Sequence, residues 1–271
     1  MKILYAILVM VALSLTITEI VHAQSEEESD TDLAKETQNP LADLISIPFQ
    51  NNIDFNVGPN DRTRYILNIQ PVIPFKLTEN WNLITRTILP VIYQPNVLSN
   101  SGGNTGLGDL NFTTWLSPRK AGRFLWGVGG TFVMPTATED TTGTDKWSAG
   151  PSVVGVFMQG AWVVGGLVSN FWSFAGNSDR QDVNFLFSQL FVNYNLNNGW
   201  YLTSAPIITS DWNANDGNKW TLPVGGGGGK VFHIGVLPVN LNLHAYYNVE
   251  KPELTGADWQ LRCQLQFLFP K

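Results

Sequence analysis

The chain has 271 residues, of which 44% are hydrophobic, 12% aromatic and only 14% charged, with a formal net charge of −6. Charged residues are little more than half the roughly 25% of an ordinary soluble domain, and the absence of any basic cluster excludes nucleic acid as a partner. The single cysteine, Cys263, excludes an internal disulfide framework.

Residues 1–23 read as a secretory signal peptide. Lys2 supplies the positive start, Ile3 to Ile17 the apolar core, and Val21-His22-Ala23 a small-residue cleavage site, so the mature chain is expected to begin at Gln24. The apolar run is shorter than the ~20 residues of a spanning helix, which argues against a membrane anchor, and no later segment is apolar enough to span as a helix. No cysteine follows the apolar core, which argues against a lipoprotein. Residues 24–40 carry Glu26, Glu27, Glu28, Asp30, Asp32 and Glu36 against Lys35 and no aromatic residue. This composition predicts a disordered acidic tail. Residues 41–271 are expected to form one β domain.

From residue 44 onward, period-two segments alternate with turn signals. Twelve strands are predicted, at 44–57, 62–76, 81–93, 106–117, 122–134, 147–158, 160–174, 182–195, 199–211, 218–234, 238–249 and 257–269. Connections at one end are short, such as Leu77–Asn80, Gln159 and Gly235–Leu237. Those at the other end are mostly longer and rich in Gly, Asn, Asp and Thr, such as Gln94–Thr105 and Pro135–Lys146. An even strand number, strands of at least ~9–11 residues and this loop asymmetry together predict a transmembrane, antiparallel, up-and-down β-barrel with short periplasmic turns, closed by the C-terminal strand.

The last strand alternates most clearly. Trp259, Leu261, Cys263, Leu265, Phe267 and Phe269 fall on one face, and Gln260, Arg262, Gln264 and Gln266 on the other. In the second strand Tyr65, Leu67, Ile69, Ile73 and Phe75 oppose Arg64, Asn68 and Gln70. Arg86 opposes Trp81, Leu83, Leu89, Val91 and Tyr93, whose two terminal aromatics would mark interfacial girdles. Asp109, Asn111 and Thr113 oppose Leu110, Phe112 and Leu116, while Asn240, Asn242, His244 and Asn248 oppose Leu241, Leu243, Ala245 and Tyr247. An Arg on the lipid side at mid-membrane costs ~2–4 kcal/mol, so Arg86 and Arg262, with Asp109, are expected to point into the lumen, where two of them near each other could form an ion pair.

Three features resist this pattern. Pro71, Pro74, Pro90, Pro206 and Pro223 fall inside predicted strands and imply bulges or breaks in pairing. Between Leu125 and Val168, Val, Gly and Trp occupy both faces. Gly225 to Gly229 is a run of five glycines, implying a bend or a close approach; without a following Gly-Lys-Ser/Thr and helix it is not a phosphate-binding loop.

Certain local sequences resemble a known family. They are Gly106-Leu107-Gly108-Asp109; Leu222-Pro223-Val224 with the glycine run and Lys230-Val231-Phe232; and Leu237-Pro238-Val239-Asn240-Leu241, Ala245-Tyr246-Tyr247-Asn248-Val249, Lys251-Pro252 and Trp259 through Pro270. Together they are similar to the bacterial outer-membrane barrel family loosely named after the meta-pathway of phenol degradation, whose members often carry the label neuromedin U. The resemblance covers residues ~40–271. It implies a Gram-negative outer-membrane location and a transport role, with no catalytic residues.

Chemistry-bearing residues are scarce. After signal removal only His233 and His244 remain. No His, Cys or carboxylate cluster suggests a metal, so neither metal nor cofactor is expected. His244 is expected in the lumen as a hydrogen-bonded residue rather than as part of a Ser–His pair, and Asp109 as a cap, brace or selectivity residue. The leading expectation is a porin-like channel for passive passage of small solutes. Its narrow polar lumen would be lined by Arg64, Asn68, Gln70, Arg86, Asp109, Asn111, His244, Gln260, Arg262 and Gln264, and its partners would be outer-membrane lipid and a small solute. The alternatives are a non-transporting surface barrel whose loops at 94–105 and 135–146 bind a partner or lipid, and a secreted soluble β protein.

Overall fold

The computed structural model describes residues 30–119 and 122–270; the signal peptide expected at 1–23 lies outside them. Among the described residues, the helix α1 (Asp30–Thr37) precedes β1 (Ile45–Val57), β2 (Arg62–Ile69), β3 (Val72–Lys76), β4 (Trp81–Pro95), β5 (Gly103–Leu107), β6 (Leu110–Pro118), β7 (Phe124–Met134), β8 (Lys146–Gln159), β9 (Trp162–Gly176), β10 (Asn184–Asn195), β11 (Trp200–Ser204), β12 (Ile207–Asp211), β13 (Trp220–Ile234), β14 (Leu237–Glu250) and β15 (Trp259–Phe269). Every pairing is antiparallel between chain neighbours, and β15 returns to β1 in an unbroken register from Ile45↔Phe269 to Phe55↔Trp259. The sheet is thus a closed barrel of 12 strands.

Three barrel strands are each split in two, which is why 12 strands appear as 15 segments. β2 and β3 part at Pro71, and β11 and β12 at Pro206. A proline has no N–H for the ladder, so these are natural points for pairing to lapse. At the second break the freed backbone turns inward: Ala205 N–H donates to Tyr246 Oη (3.0 Å), and Ala205 O accepts from Arg262 Nη1 (2.8 Å). β5 and β6 part at Gly108-Asp109, and Pro223 sits at a register shift between β13 and β14.

The outer face carries what a soluble protein would bury. Phe124, Val153, Phe157, Val168, Leu190, Leu202, Leu241 and Leu243 are all exposed. Aromatic pairs bracket this belt. Trp81–Trp126 (6.0 Å) and Trp162–Tyr194 (4.8 Å) lie at the short-turn end; Phe132–Phe174 (5.8 Å), Trp212–Trp220 (5.4 Å) and Tyr247–Trp259 (4.9 Å) lie at the long-loop end. On β9, Trp162 and Trp172 share the outward face. At ~3.3 Å per residue and a tilt of about 40°, they stand roughly 25 Å apart along the barrel axis, the height of a hydrocarbon core.

The segment expected to be disordered is ordered from Asp30 onward, a correction to the composition-based reading. Helix α1 sits in the short-turn mouth, where Leu33 and Ala34 are buried with Leu44, Tyr201, Val231 and Leu268. Asp30 pairs with His233 Nδ1 (3.1 Å), and Gln38 and Asn195 exchange amide hydrogen bonds. Apolar burial inside the barrel supplies what an acidic peptide lacks in isolation.

The lumen is a candidate channel

Inward positions differ around the barrel. On β1, β2, β14 and β15 they are mostly polar, including Gln50, Asn52, Asp54, Arg64, Asn68, Asn240, Asn242, His244, Asn248, Gln260, Arg262, Gln264 and Gln266, with Ile66, Tyr246 and Leu268 among them. On β4 and β6 to β10 the interior instead holds an apolar cluster of Ile84, Trp115, Val154, Val156, Val163, Leu167 and Phe191, reached by Leu41 from the N-terminal segment. Around Trp115 runs a chain of hydroxyls. Trp115 Nε1 donates to Ser152 Oγ (2.9 Å), Ser169 bonds Ser152 (2.7 Å), and Thr131 bonds both Ser169 (3.3 Å) and Thr113 (2.7 Å). Small polar and branched apolar residues thus fill this half.

Two cavities follow the polar half. A larger one, of about 850 Å³, reaches the long-loop end, where Ala214, Asn215, Leu254 and Thr255 line it beside Arg64, Asn68 and Gln260. A smaller one, of about 170 Å³, lies toward α1 and is lined by Gln70, Arg86, His244, Gln264 and residues 36–40. Gln50 and Arg262 border both. Arg262 is 2% exposed and fixed across this boundary by Asn52 Oδ1 (3.2 Å), Gln260 Oε1 (2.9 Å) and Ala205 O, with its guanidinium 4.9 Å from the Tyr246 ring.

Of the ten residues singled out from sequence, eight therefore border the two cavities. Asp109 and Asn111 do not. Asn111 shares the inward face of β6 and accepts from Thr113 Oγ1 (3.1 Å). Asp109 turns to the loop after β7, where it accepts from Ala137 N–H (3.2 Å), Thr144 N–H (2.6 Å) and Thr144 Oγ1 (2.7 Å). The ion pair that Asp109 could have made with Arg86 or Arg262 does not form, because its carboxylate accepts from Ala137 and Thr144 in the loop near the rim. The lumen ion pair is Arg64–Asp54. Arg64 Nε and Nη2 both donate to Asp54 Oδ2 (2.8 and 2.7 Å), while Gln260 donates to Oδ1 (2.8 Å). The facing of Asp54 is not legible in the sequence, because Asn51 breaks the alternation of the first strand and leaves polar residues on both faces; pairing with Gln260 across β15 is what places it inward.

His244 also differs from expectation. Both ring nitrogens lack a hydrogen-bond partner among the described residues, and the ring packs edge-on against Tyr246 (5.7 Å). Directly opposite on β15 stands Arg262, a cation that can only donate and so offers the imidazole no acceptor. No cluster of three or more metal-ligating side chains occurs among the described residues.

The glycine run has a direct packing reason. Gly225, Gly227 and Gly229 face inward, opposite Tyr246, His244 and Asn242. A Cβ on Gly227 would run into the Leu243 carbonyl oxygen, and one on Gly229 into the phenol of Tyr201. That phenol donates to Asn240 Oδ1 (2.7 Å) and accepts from Asn242 Nδ2 (3.3 Å), so Gly229 makes room for an ordered ring that supports the polar wall, while Gly225 and Gly227 let β14 backbone approach.

Comparison with solved structures gives the class that this geometry defines, an outer-membrane-type β-barrel. The COG4313 outer membrane channel from Pseudomonas putida F1 overlays with a TM-score of 0.63 at 16% identity, over 83% of this chain and 94% of that one. The NanC porin overlays with a TM-score of 0.51 at 9% identity, over 84% of this chain and 100% of that one. No protein-family model and no curated protein matches the sequence.

Proposed function

We propose that this protein is an outer-membrane channel that lets small solutes diffuse along the polar half of its lumen. The observation that carries the reading is the pair of cavities, of about 850 and 170 Å³, each lined in part by polar side chains, inside a barrel whose outer belt is apolar and bracketed by aromatic pairs. The belt requires lipid, since so much exposed apolar surface would aggregate in water. The polar wall supplies water with partners all along the path. Both solved channels above have the same architecture, which supports the reading without naming a solute. The Arg64–Asp54 pair belongs to the outer part of the path, Arg262 and Gln50 to its waist, and Arg86 and His244 to its inner part. Asp109 acts as a brace for the outer loop. Helix α1 narrows the inner mouth, so unitary conductance is small.

The test is single-channel recording of the refolded mature protein in a planar bilayer. Discrete small openings are expected, and a chain lacking residues 24–40 should conduct several-fold more, because Leu33 and Ala34 no longer occupy the inner mouth. A folded barrel silent in both forms would overturn the channel reading.

A further inference from the structure

The smaller cavity has an unbalanced charge. Two guanidiniums, Arg86 and Arg262, line it, and neither has a carboxylate within ion-pair reach among the described residues. Arg262 is held by neutral oxygens alone, two side-chain amides and one backbone carbonyl. Arg86 is 8% exposed, lies against the faces of Trp115 (5.4 Å) and Phe187 (5.9 Å), and its Nε has no hydrogen-bond partner. The contrast with Arg64 is instructive: Arg64 is bonded to Asp54 directly, while neither arginine of the tighter cavity touches an acid, Arg262 meeting Asp54 only through Gln260. Among the described residues, the only carboxylate on the small cavity's wall is Glu36, at the α1 end. A buried cation without a counter-ion is costly, and sites that keep one commonly spend it on a ligand.

We infer that the smaller cavity binds a compact organic carboxylate, its anionic head between Arg86 and Arg262 and its body against the apolar wall. The proposal rests on the channel reading for the route by which a solute arrives. Guanidinium geometry suits a planar carboxylate, offering paired N–H donors. The amides of Gln50, Gln70 and Gln264 add donors around the head, and Val72, Leu167 and Phe191 supply an apolar surface for the body. His244 stands beside Arg262 with both ring nitrogens unengaged. A fully hydrated inorganic anion would leave the apolar side of this wall unused.

The experiment is calorimetric titration of the refolded mature protein, in detergent, with sodium benzoate, acetate and phosphate. Saturable benzoate binding is expected, tighter than acetate or phosphate, and weakened about tenfold or more in Arg86→Gln. Arg262→Gln should show the same loss and carries the test if Arg86→Gln does not fold. Absence of saturable benzoate binding, equal affinity in the wild type and in folded variants, or acetate or phosphate binding as tightly as benzoate would overturn the assignment. Bilayer recording separates the two proposals. A silent barrel that binds benzoate overturns the channel and leaves the site; a conducting barrel that neither binds benzoate nor is blocked by it does the reverse.

Discussion

The two halves of the lumen solve the same problem in opposite ways. Both must fill the inside of one 12-stranded cylinder. The half formed by β1, β2, β14 and β15 uses long polar side chains cross-linked by hydrogen bonds, and leaves space beside them. The half formed by β4 and β6 to β10 uses Trp115, Ile84, Val154, Val156, Val163, Leu167 and Phe191 in contact, and leaves little. A barrel of intermediate strand number is too wide to pack solid and too narrow for a broad pore. Packing one half against itself lets the other stay wet. On the channel proposal, the packed half sets the width of the path and the polar half its chemistry.

This contrast breaks most visibly at Trp115. It is fully buried, its indole N–H donates to Ser152, and its face supports Arg86. Trp115→Ala should destabilise the barrel by about 3–5 kcal/mol, measured by urea unfolding in detergent, and should raise conductance because the void joins the path. A variant as stable as wild type with unchanged conductance would mean that the packed half does not set the width. The polar half is tested at Asp54. Asp54→Asn leaves Arg64 with a neutral partner while keeping the shape. Arg64 is partly exposed to the cavity, so the stability loss should be smaller, about 1–2 kcal/mol. The larger consequence is one uncompensated positive charge in the outer cavity, which should shift the reversal potential in a salt gradient toward anion preference. An unmoved reversal potential would place Asp54 off the conducting path.

The same contrast explains what the sequence reveals and what it conceals. Where the interior is wet, inward residues are polar and outward ones apolar, so β14 and β15 announce their faces through Asn240, Asn242, His244, Gln260, Arg262 and Gln264. Where the interior is packed, both faces are apolar or small, and Val153 and Val154, outward and inward, look alike. Strand existence was still readable there, because turn residues bound each run. The twelve-strand count follows from those bounds, while the three breaks needed the tertiary context of Pro71, Gly108 and Pro206. Side-chain partners were not readable. Asp109 and Asp54 both precede β-type residues in polar surroundings. Only the loop amides of Ala137 and Thr144 place one carboxylate in a loop, and only Gln260 and Arg64 place the other inside the barrel. The ordering of α1 was equally hidden, since its acidic composition says nothing of a mouth that offers Tyr201, Val231 and Leu268 to Leu33.

The smallest expected effect compares the rims of the two halves, each closed by a lysine clasp. On the packed side Lys146 Nζ holds Asp182 (2.9 Å), assisted by Ser173; on the polar side Lys251 Nζ holds Asp258 (2.5 Å), assisted by Asn56. Hydrogen bonding from the lysine, more than any other cause, keeps each carboxyl below the ordinary carboxylate range. A depressed folded value means that each clasp contributes fully above the unfolded carboxyl pKa, near 3.9, and loses its contribution as pH falls through the lower folded value. Both carboxylates are solvent-accessible, so screening keeps the contribution to global stability slight. The readout is therefore local. Protection against amide hydrogen exchange in residues 177–183 and 251–258, taken relative to the intrinsic rate at each pH, should fall in strong acid while the strands stay protected. Lys146→Met should quicken the first segment alone at neutral pH, because it removes one clasp and leaves the other. Equal quickening of both segments in that variant would show that the rims are coupled through the barrel rather than held independently, and the division of the lumen into two halves would not extend to its mouth.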